Sequence, residues 1–413
     1  MVETPSPTLP TRGRELVSIS SERHFRLLVG GALIVMQSLA AIGLSWDIQW
    51  HRWIGRDRFL TPPHFVIYVG VAGAGLLCIA VVLIETRRYW RRAPGVDDSS
   101  TIPLMRIFHA PRGFIVAGFG ALTMAIAAPL DNYWHQLHGI DVTLWAPFHM
   151  MGLIGAGIAN LGAAYALAAE LVRSRRDGTA GRRFEIVGWT GIALGSLFAI
   201  TALLRLVRVV MEPSMETFPT WHIGPIDLLS SPAGLTLAVV LPSMAAAVTL
   251  RRPGAATVMA LMAALFTAAV TAAAPIAVRA AAAADPGQYT YRLPGSPHIQ
   301  WLPVLLPFAY VIPAAVVDIA YVAELRRWRR VRASLLAGVA GALPMTVIAT
   351  LLTLDGISST GSALRILPAS STDLPPQPTL GAIGLGLLVA IVVGGAAGRA
   401  GEQLGRIWRL STQ

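Results

Sequence analysis

Ten apolar runs, at about 25–46, 64–86, 113–131, 147–172, 185–206, 232–250, 254–279, 301–323, 333–353 and 379–398, occupy most of this chain. Each comes close to the ~20 residues that a helix needs to cross the ~30 Å hydrocarbon core of a bilayer. In hydrocarbon every backbone N–H and C=O must be bonded within the chain, and a helix meets that demand alone. The expected fold class is therefore all-α: a polytopic membrane helical bundle of about ten transmembrane helices in five hairpins. The residues agree, being 54% hydrophobic and only 13% charged, where a soluble chain carries about twice that charge.

The net charge of +11 could suggest nucleic acid as a partner, but its distribution does not. All 33 basic residues are arginine, a bias typical of a GC-rich bacterial coding sequence. Of these, 25 fall in the N-terminal tail, the even-to-odd loops and the C-terminus, and the remaining 8 in the odd-to-even loops. By the positive-inside rule both termini face the cytoplasm and the odd-to-even loops face outward, across a bacterial inner membrane. Residues 1–24 are polar and read as a disordered cytoplasmic tail, and 399–413 as a second tail. Between them, 25–172 read as duplicated hairpins and 173–398 as scaffold helices. Small residues near Ala40–Gly43 resemble a signal-peptide cleavage region, yet the run's length favours an uncleaved first span. One cysteine, Cys78, leaves no intramolecular disulfide, CxxC pair, CxxCH haem attachment or cysteine-based zinc site.

The loops after the first and third runs are out of character with this greasy chain. Residues 46–64 read WDIQWHRWIGRDRFLTPPH, and 130–149 read LDNYWHQLHGIDVTLWAPFH. W-H-x3-G-x-D recurs as Trp50, His51, Gly55, Asp57 and as Trp134, His135, Gly139, Asp141. Prolines precede the closing histidine in both: Pro62 and Pro63 before His64, Pro147 before His149. Gly70 and Gly155 lie six residues further on. The first two hairpins are thus an internal duplication. Trp221, His222, Gly224 and Asp227 suggest a degraded third copy, and the fourth hairpin keeps only Pro297 and His298.

Asp47 and His51 stand one helical turn apart, so both project from one face if the helix persists. Proline suits a first helical turn, so His64 opens the returning helix and comes back beside them. Two imidazoles and one carboxylate suit Fe(II), Cu(II) or Zn(II), with positions left open. Asp131, His135 and His149 form the second triad, with His138 one turn beyond His135 as a further candidate ligand. Asp57 and Asp141 follow a glycine and read as turn residues that orient a ligand imidazole. The bland alternative is an interfacial turn, with Asp47 paired to Arg52 and Trp46, Trp50, Trp53, Trp134 and Trp145 in an aromatic belt. His222 and His298 face outward, whereas His24 and His109 lie at the cytoplasmic side. Asp318, inside apolar VVDIAY, is expected to pair with a nearby arginine.

Asp47-x3-His51-x12-His64 resembles the D-x3-H-x12-H copper motif of the C subunit of copper membrane monooxygenases, which oxidise methane, ammonia or short hydrocarbons. The resemblance covers about 20 residues in each copy, the second with one residue inserted. It implies copper at Asp47, His51 and His64 and at Asp131, His135 and His149, a small apolar substrate, and partner subunits or an electron donor. A non-catalytic copper or zinc binding or delivery protein, a haem b-binding subunit, and a structural subunit are the other readings.

Overall fold

The computed structural model describes residues 11–55, 59–93, 101–138, 146–176, 178, 181–211, 220–325, 330–354 and 379–410. The first half of the chain runs α1 (Thr11–Trp53), α2 (Pro62–Trp90), β1 (Thr101–Leu104), β2 (Phe108–Pro111), α3 (Arg112–His138), α4 (Pro147–Arg176) and α5 (Arg182–Met211). The second runs β3 (Thr220–Ile223), β4 (Ile226–Leu229), α6 (Ser231–Leu250), α7 (Ala255–Ala284), α8 (Trp301–Ala309), α9 (Val311–Leu325), α10 (Arg330–Leu354) and α11 (Leu380–Leu410).

Nine spans among the described residues are long and apolar enough to cross a membrane, and α5, of 30 residues, covers the fifth expected run. The eighth run is α8 and α9 together. Pro313 has no N–H to give to Ala309, and Tyr310 N instead bonds Pro307 O at 3.2 Å, which breaks the helix there. Trp408 near the end of α11 packs in one cluster with Leu27 near the start of α1, so the two repeated loops lie at the opposite end of the bundle from both.

Both expected tails are helical where they are described. Residues 11–24 form the first turns of α1, and α11 runs on to Leu410. A Cβ at Gly401 would lie 2.3 Å from Leu241 O, one at Gly405 2.8 Å from Ala245 O, and Trp408 is buried. The arginines at 399 and 406 are helix residues whose charged ends reach Glu402. The third repeat copy is also corrected. Its Trp and His lie on β3, which pairs antiparallel with β4, with His222 opposite Asp227 and Gly224 turning at φ 61°. No helix end is there to repeat.

Helices α1 to α4 form a square: α1 packs on α2 and α4, and α3 packs on α4 and α2. The duplication reaches into the packing register. A Cβ on Gly70 would strike Met36 O and Ala40 N, and one on Gly155 would strike Gly120 O and Met124 N. Those contacts map onto each other at an offset of 84 residues on the first helix and 85 on the second. Such close approach is what small residues allow between membrane helices. Helix α6 lies at the centre of the second half and is buried along most of its length.

The end that carries the termini holds a buried ionic network. Arg26, 1% exposed, bonds Glu85 Oε2 at 2.8 Å, approaches Glu170 Oε1 at 3.7 Å and pairs with Glu22. Arg88 reaches Glu85 at 3.0 Å and Arg173 reaches Glu170 at 3.5 Å. The β1–β2 hairpin docks beside it, its His109 ring stacked on Tyr89 at 3.5 Å and its backbone N–H given to Thr86 Oγ1 at 2.9 Å.

Candidate metal centres

The repeated motif is a helix stop followed by a helix start. Ile54 N and Gly55 N both donate to Trp50 O, at 2.8 and 3.2 Å, and Gly55 then takes φ 74° to turn the chain away. Glycine suits that left-handed position because it has no Cβ to clash. The stop leaves His51 on the last turn of α1, one turn above Asp47. Thr61 caps α2 in an extended conformation, its side chain accepting from His64 N at 3.4 Å, with Pro62 and Pro63 in the first turn. Phe65 N bonds Thr61 O at 3.0 Å, and Met150 N bonds Ala146 O at 3.0 Å, so both returning helices start in the same register.

Each hairpin thereby brings its three side chains to one point. His51 Nε2 lies 3.5 Å from Asp47 Oδ2 and His64 Nε2 lies 3.3 Å from Asp47 Oδ1, with ring centroids 6.3 Å apart. In the second hairpin His135 Nε2 and His149 Nε2 lie 3.3 and 3.1 Å from Asp131 Oδ2, with centroids 5.4 Å apart. Within each triad one ligand atom per residue falls within 4.8 Å of the other two. Neither triad borrows a residue from the other hairpin.

Magnitudes help to separate an ion site from a plain hydrogen-bonded turn. Bonds of about 2.05 Å at the tetrahedral angle set ligand atoms about 3.4 Å apart. The four observed separations bracket that edge, from 3.1 to 3.5 Å. An N–H···O bond spans about 2.7–3.2 Å, a range that includes the 3.1 Å contact and falls short of the other three. Asp131 Oδ1 is buried and accepts no hydrogen bond, a state that costs about 1–3 kcal/mol unless something else takes the lone pair. The donor set and the orphaned oxygen both fit a divalent cation held by two imidazoles and one carboxylate.

The surroundings of the two triads differ. At the first, Trp50 is fully buried against Tyr289 at 4.7 Å and Tyr68 lies over His64 at 5.8 Å. At the second, Trp134 packs on His138 at 4.1 Å and Phe148 at 6.0 Å. The second is also the more open, its His149 side chain 34% exposed against 17% for His64. No family model, curated protein or solved structure matches this chain. The site must be read from its own geometry.

Six of the expected ligands thus converge, and His138 does not. It is exposed, and its ring lies against Trp134 because the turn beyond His135 points it away from the returning helix. His298 is exposed and packs edge-on to Trp53 at 6.0 Å, outside both triads. Asp57, Asp141 and the His222 side chain lie outside the described residues. His24 packs on Phe184 at 5.8 Å, in the half of α1 that leads away from the triads. Asp318 corrects the expectation of an arginine partner. It accepts from Ala256 N at 3.3 Å, Thr257 N at 2.8 Å and Thr257 Oγ1 at 2.7 Å. Its carboxylate caps the first turn of α7, where unbonded N–H groups and the helix dipole favour negative charge.

Sequence reasoning missed the Arg26 network and the 285–300 loop that packs on the end of α1. The first left a signal, since Glu85-x2-Arg88 returns as Glu170-x2-Arg173 at the repeat offset of 85. The second left none, because it joins residues about 240 apart in the chain.

Proposed function

We propose that this protein is a membrane metalloprotein with two extracytoplasmic metal sites, Asp47/His51/His64 and Asp131/His135/His149, and that copper is the ion they hold. The observation that carries the reading is that the same donor set is assembled twice, an Asp and a His one turn apart near the end of one helix and a His in the proline-started first turn of the next. An accidental interfacial cluster has no reason to be built twice by the same signals.

The proposed activity is oxidoreductase chemistry of the membrane monooxygenase type on a small apolar substrate. Copper, when bound, supplies the one-electron and O2 chemistry. The chain's own part is to fix two imidazoles and a carboxylate on rigid helix ends and to leave the remaining coordination positions free. In both triads the two Nε2 atoms turn to one shared carboxylate. That arrangement favours a small ion over a haem, whose axial imidazoles would face each other across a plane. A substrate soluble in lipid reaches this end of the bundle along helices whose outer faces are apolar, with Phe65, Leu76 and Tyr133 all exposed. Electrons come from a partner or a quinol, since the single cysteine, Cys78, is buried. The exposure of His149 favours a second reading, that the second site takes up or hands on copper without catalysis.

Elemental analysis of detergent-purified protein, beside a His51→Ala/His135→Ala variant, tests the metal reading. Copper bound at two per chain and lost in the variant supports it. Protein that stays free of metal after reconstitution with Cu(I), Cu(II), Fe(II) and Zn(II) refutes it. Copper-dependent O2 uptake with a short hydrocarbon or ammonia then separates the enzyme from the delivery protein.

A further inference from the structure

Loop 285–300, between α7 and α8, closes over the last turn of α1, which carries His51 of the first triad. Arg292 N donates to Trp53 O at 2.8 Å, and Arg292 Nε donates to Arg52 O at 3.0 Å. These are last-turn carbonyls, which no intrahelical N–H can satisfy. Arg52 in turn gives Nη1 to Gln300 Oε1 at 3.1 Å, and Arg279 Nη1 fixes the loop through Pro297 O at 2.8 Å. Trp50 and Trp53, which flank His51 and Arg52, pack on Tyr289 and Tyr291 of the same loop, with Val278 and Ala282 beneath. A Cβ on Gly55 would sit 2.6 Å from Arg292 Cδ, so the glycine that stops α1 also makes room for the arginine.

His51 and its partner Asp47 stay on one face only while α1 remains wound to Trp53. At the corresponding end of α3, the Trp134 ring packs within its own hairpin on His138 and Phe148. We infer that loop 285–300 is a positioning element for the first site alone, with Arg292 its positioning residue, so that the two chemically identical triads are unequal in use. The hydrogen bonds from Arg292 to α1 run to the backbone carbonyls of Arg52 and Trp53. It acts by holding the last turn of α1, and it ties the geometry of His51 to α7 and α8. This inference rests on the metal reading above.

The second triad serves as an internal control in the same molecule. Cu(II) affinity is measured by competition with a chelator in two full-length backgrounds, His135→Ala/His149→Ala, which leaves the first site, and His51→Ala/His64→Ala, which leaves the second. Arg292→Ala is expected to weaken the first site about 10-fold or more, the usual effect of losing a group that orients a ligand. It should also change that site's Cu(II) electron paramagnetic resonance spectrum while leaving the second site's affinity and spectrum as they were. Arg292→Lys keeps a cation in reach of Arg52 O and is expected to recover most of the loss. Tyr289→Ala, which removes the ring under Trp50, should act in the same direction. Unchanged affinity at the first site, or an equal loss at both, overturns the inference. Absence of copper from the parent backgrounds themselves overturns the metal reading, and is distinguishable because it precedes any change at Arg292.

Discussion

Helix spacing at the first triad is set by a single atom that is missing from Gly43. The residue lies one turn below Asp47, and a Cβ there would sit 2.8 Å from Ile67 Cγ1, 2.8 Å from Ile67 N and 3.0 Å from Pro63 O. Carbon contacts become comfortable only at about 3.5 Å, so Gly43→Ala must drive α2 away from α1 by roughly 0.5 Å. His64 follows Pro63 directly. Its Nε2, now 3.3 Å from Asp47 Oδ1, moves to about 3.8 Å, beyond the ~3.4 Å edge of a tetrahedral site. Overpacking of this kind costs about 1–3 kcal/mol of stability, and on the metal reading proposed above the misplaced histidine is expected to weaken Cu(II) binding at the first triad roughly 10- to 100-fold. Chelator competition in the His135→Ala/His149→Ala background reads the affinity, and thermal unfolding in detergent reads the stability. The second hairpin supplies the matched control. A Cβ on Gly152 would meet only Ala127 Cβ, at 4.0 Å, so Gly152→Ala should leave both quantities unchanged at the second site. A Gly43→Ala protein with full affinity and stability, or a Gly152→Ala protein as damaged as the first, refutes the reasoning.

Arg26→Ala leaves Glu85 and Glu170 buried without their shared cation. The expected loss is about 3–5 kcal/mol, read by thermal unfolding, with Glu85→Gln recovering part of it. Asp318→Ala strips the cap from α7, where Ala256 N and Thr257 N lose their acceptor. That should cost about 1 kcal/mol, and Asp318→Asn, which keeps an acceptor, should cost less. Cys78, 2% exposed, should resist maleimide in the folded protein and react after denaturation, because a buried thiol is inert; fast labelling of the native protein would contradict the α2–α3 packing.

The apolar runs made the spans legible because hydrocarbon leaves a twenty-residue run little choice. The triads were legible for a different reason. Asp47 and His51 are one turn apart on one helix, and His64 returns after a loop too short to take it elsewhere, so the spacing alone fixes where they meet. Asp318 was misread because sequence offers only side chains as partners, while the structure supplies the open N–H groups of another helix. That α11 runs on to Leu410 was not legible, because arginine looks the same in a tail and on a helix whose other face is buried, as the face of α11 with Gly401, Gly405 and Trp408 is.

The departures from the repeat say most about how the protein is organised. Glu85 and Arg88 recur as Glu170 and Arg173, but the position equivalent to Arg26 is Ala110. One arginine on α1 thus serves carboxylates of both repeats at the end that carries the termini. At the other end the same helix is the one gripped by Arg292 and the tyrosines of loop 285–300. Both departures from the repeat therefore fall on α1. The duplication provides two similar Asp/His triads, and loop 285–300 packs on the helix end that carries the first of them. On that view the first triad works in a frame tied to the second half-bundle, while the second carries the more exposed closing histidine, His149.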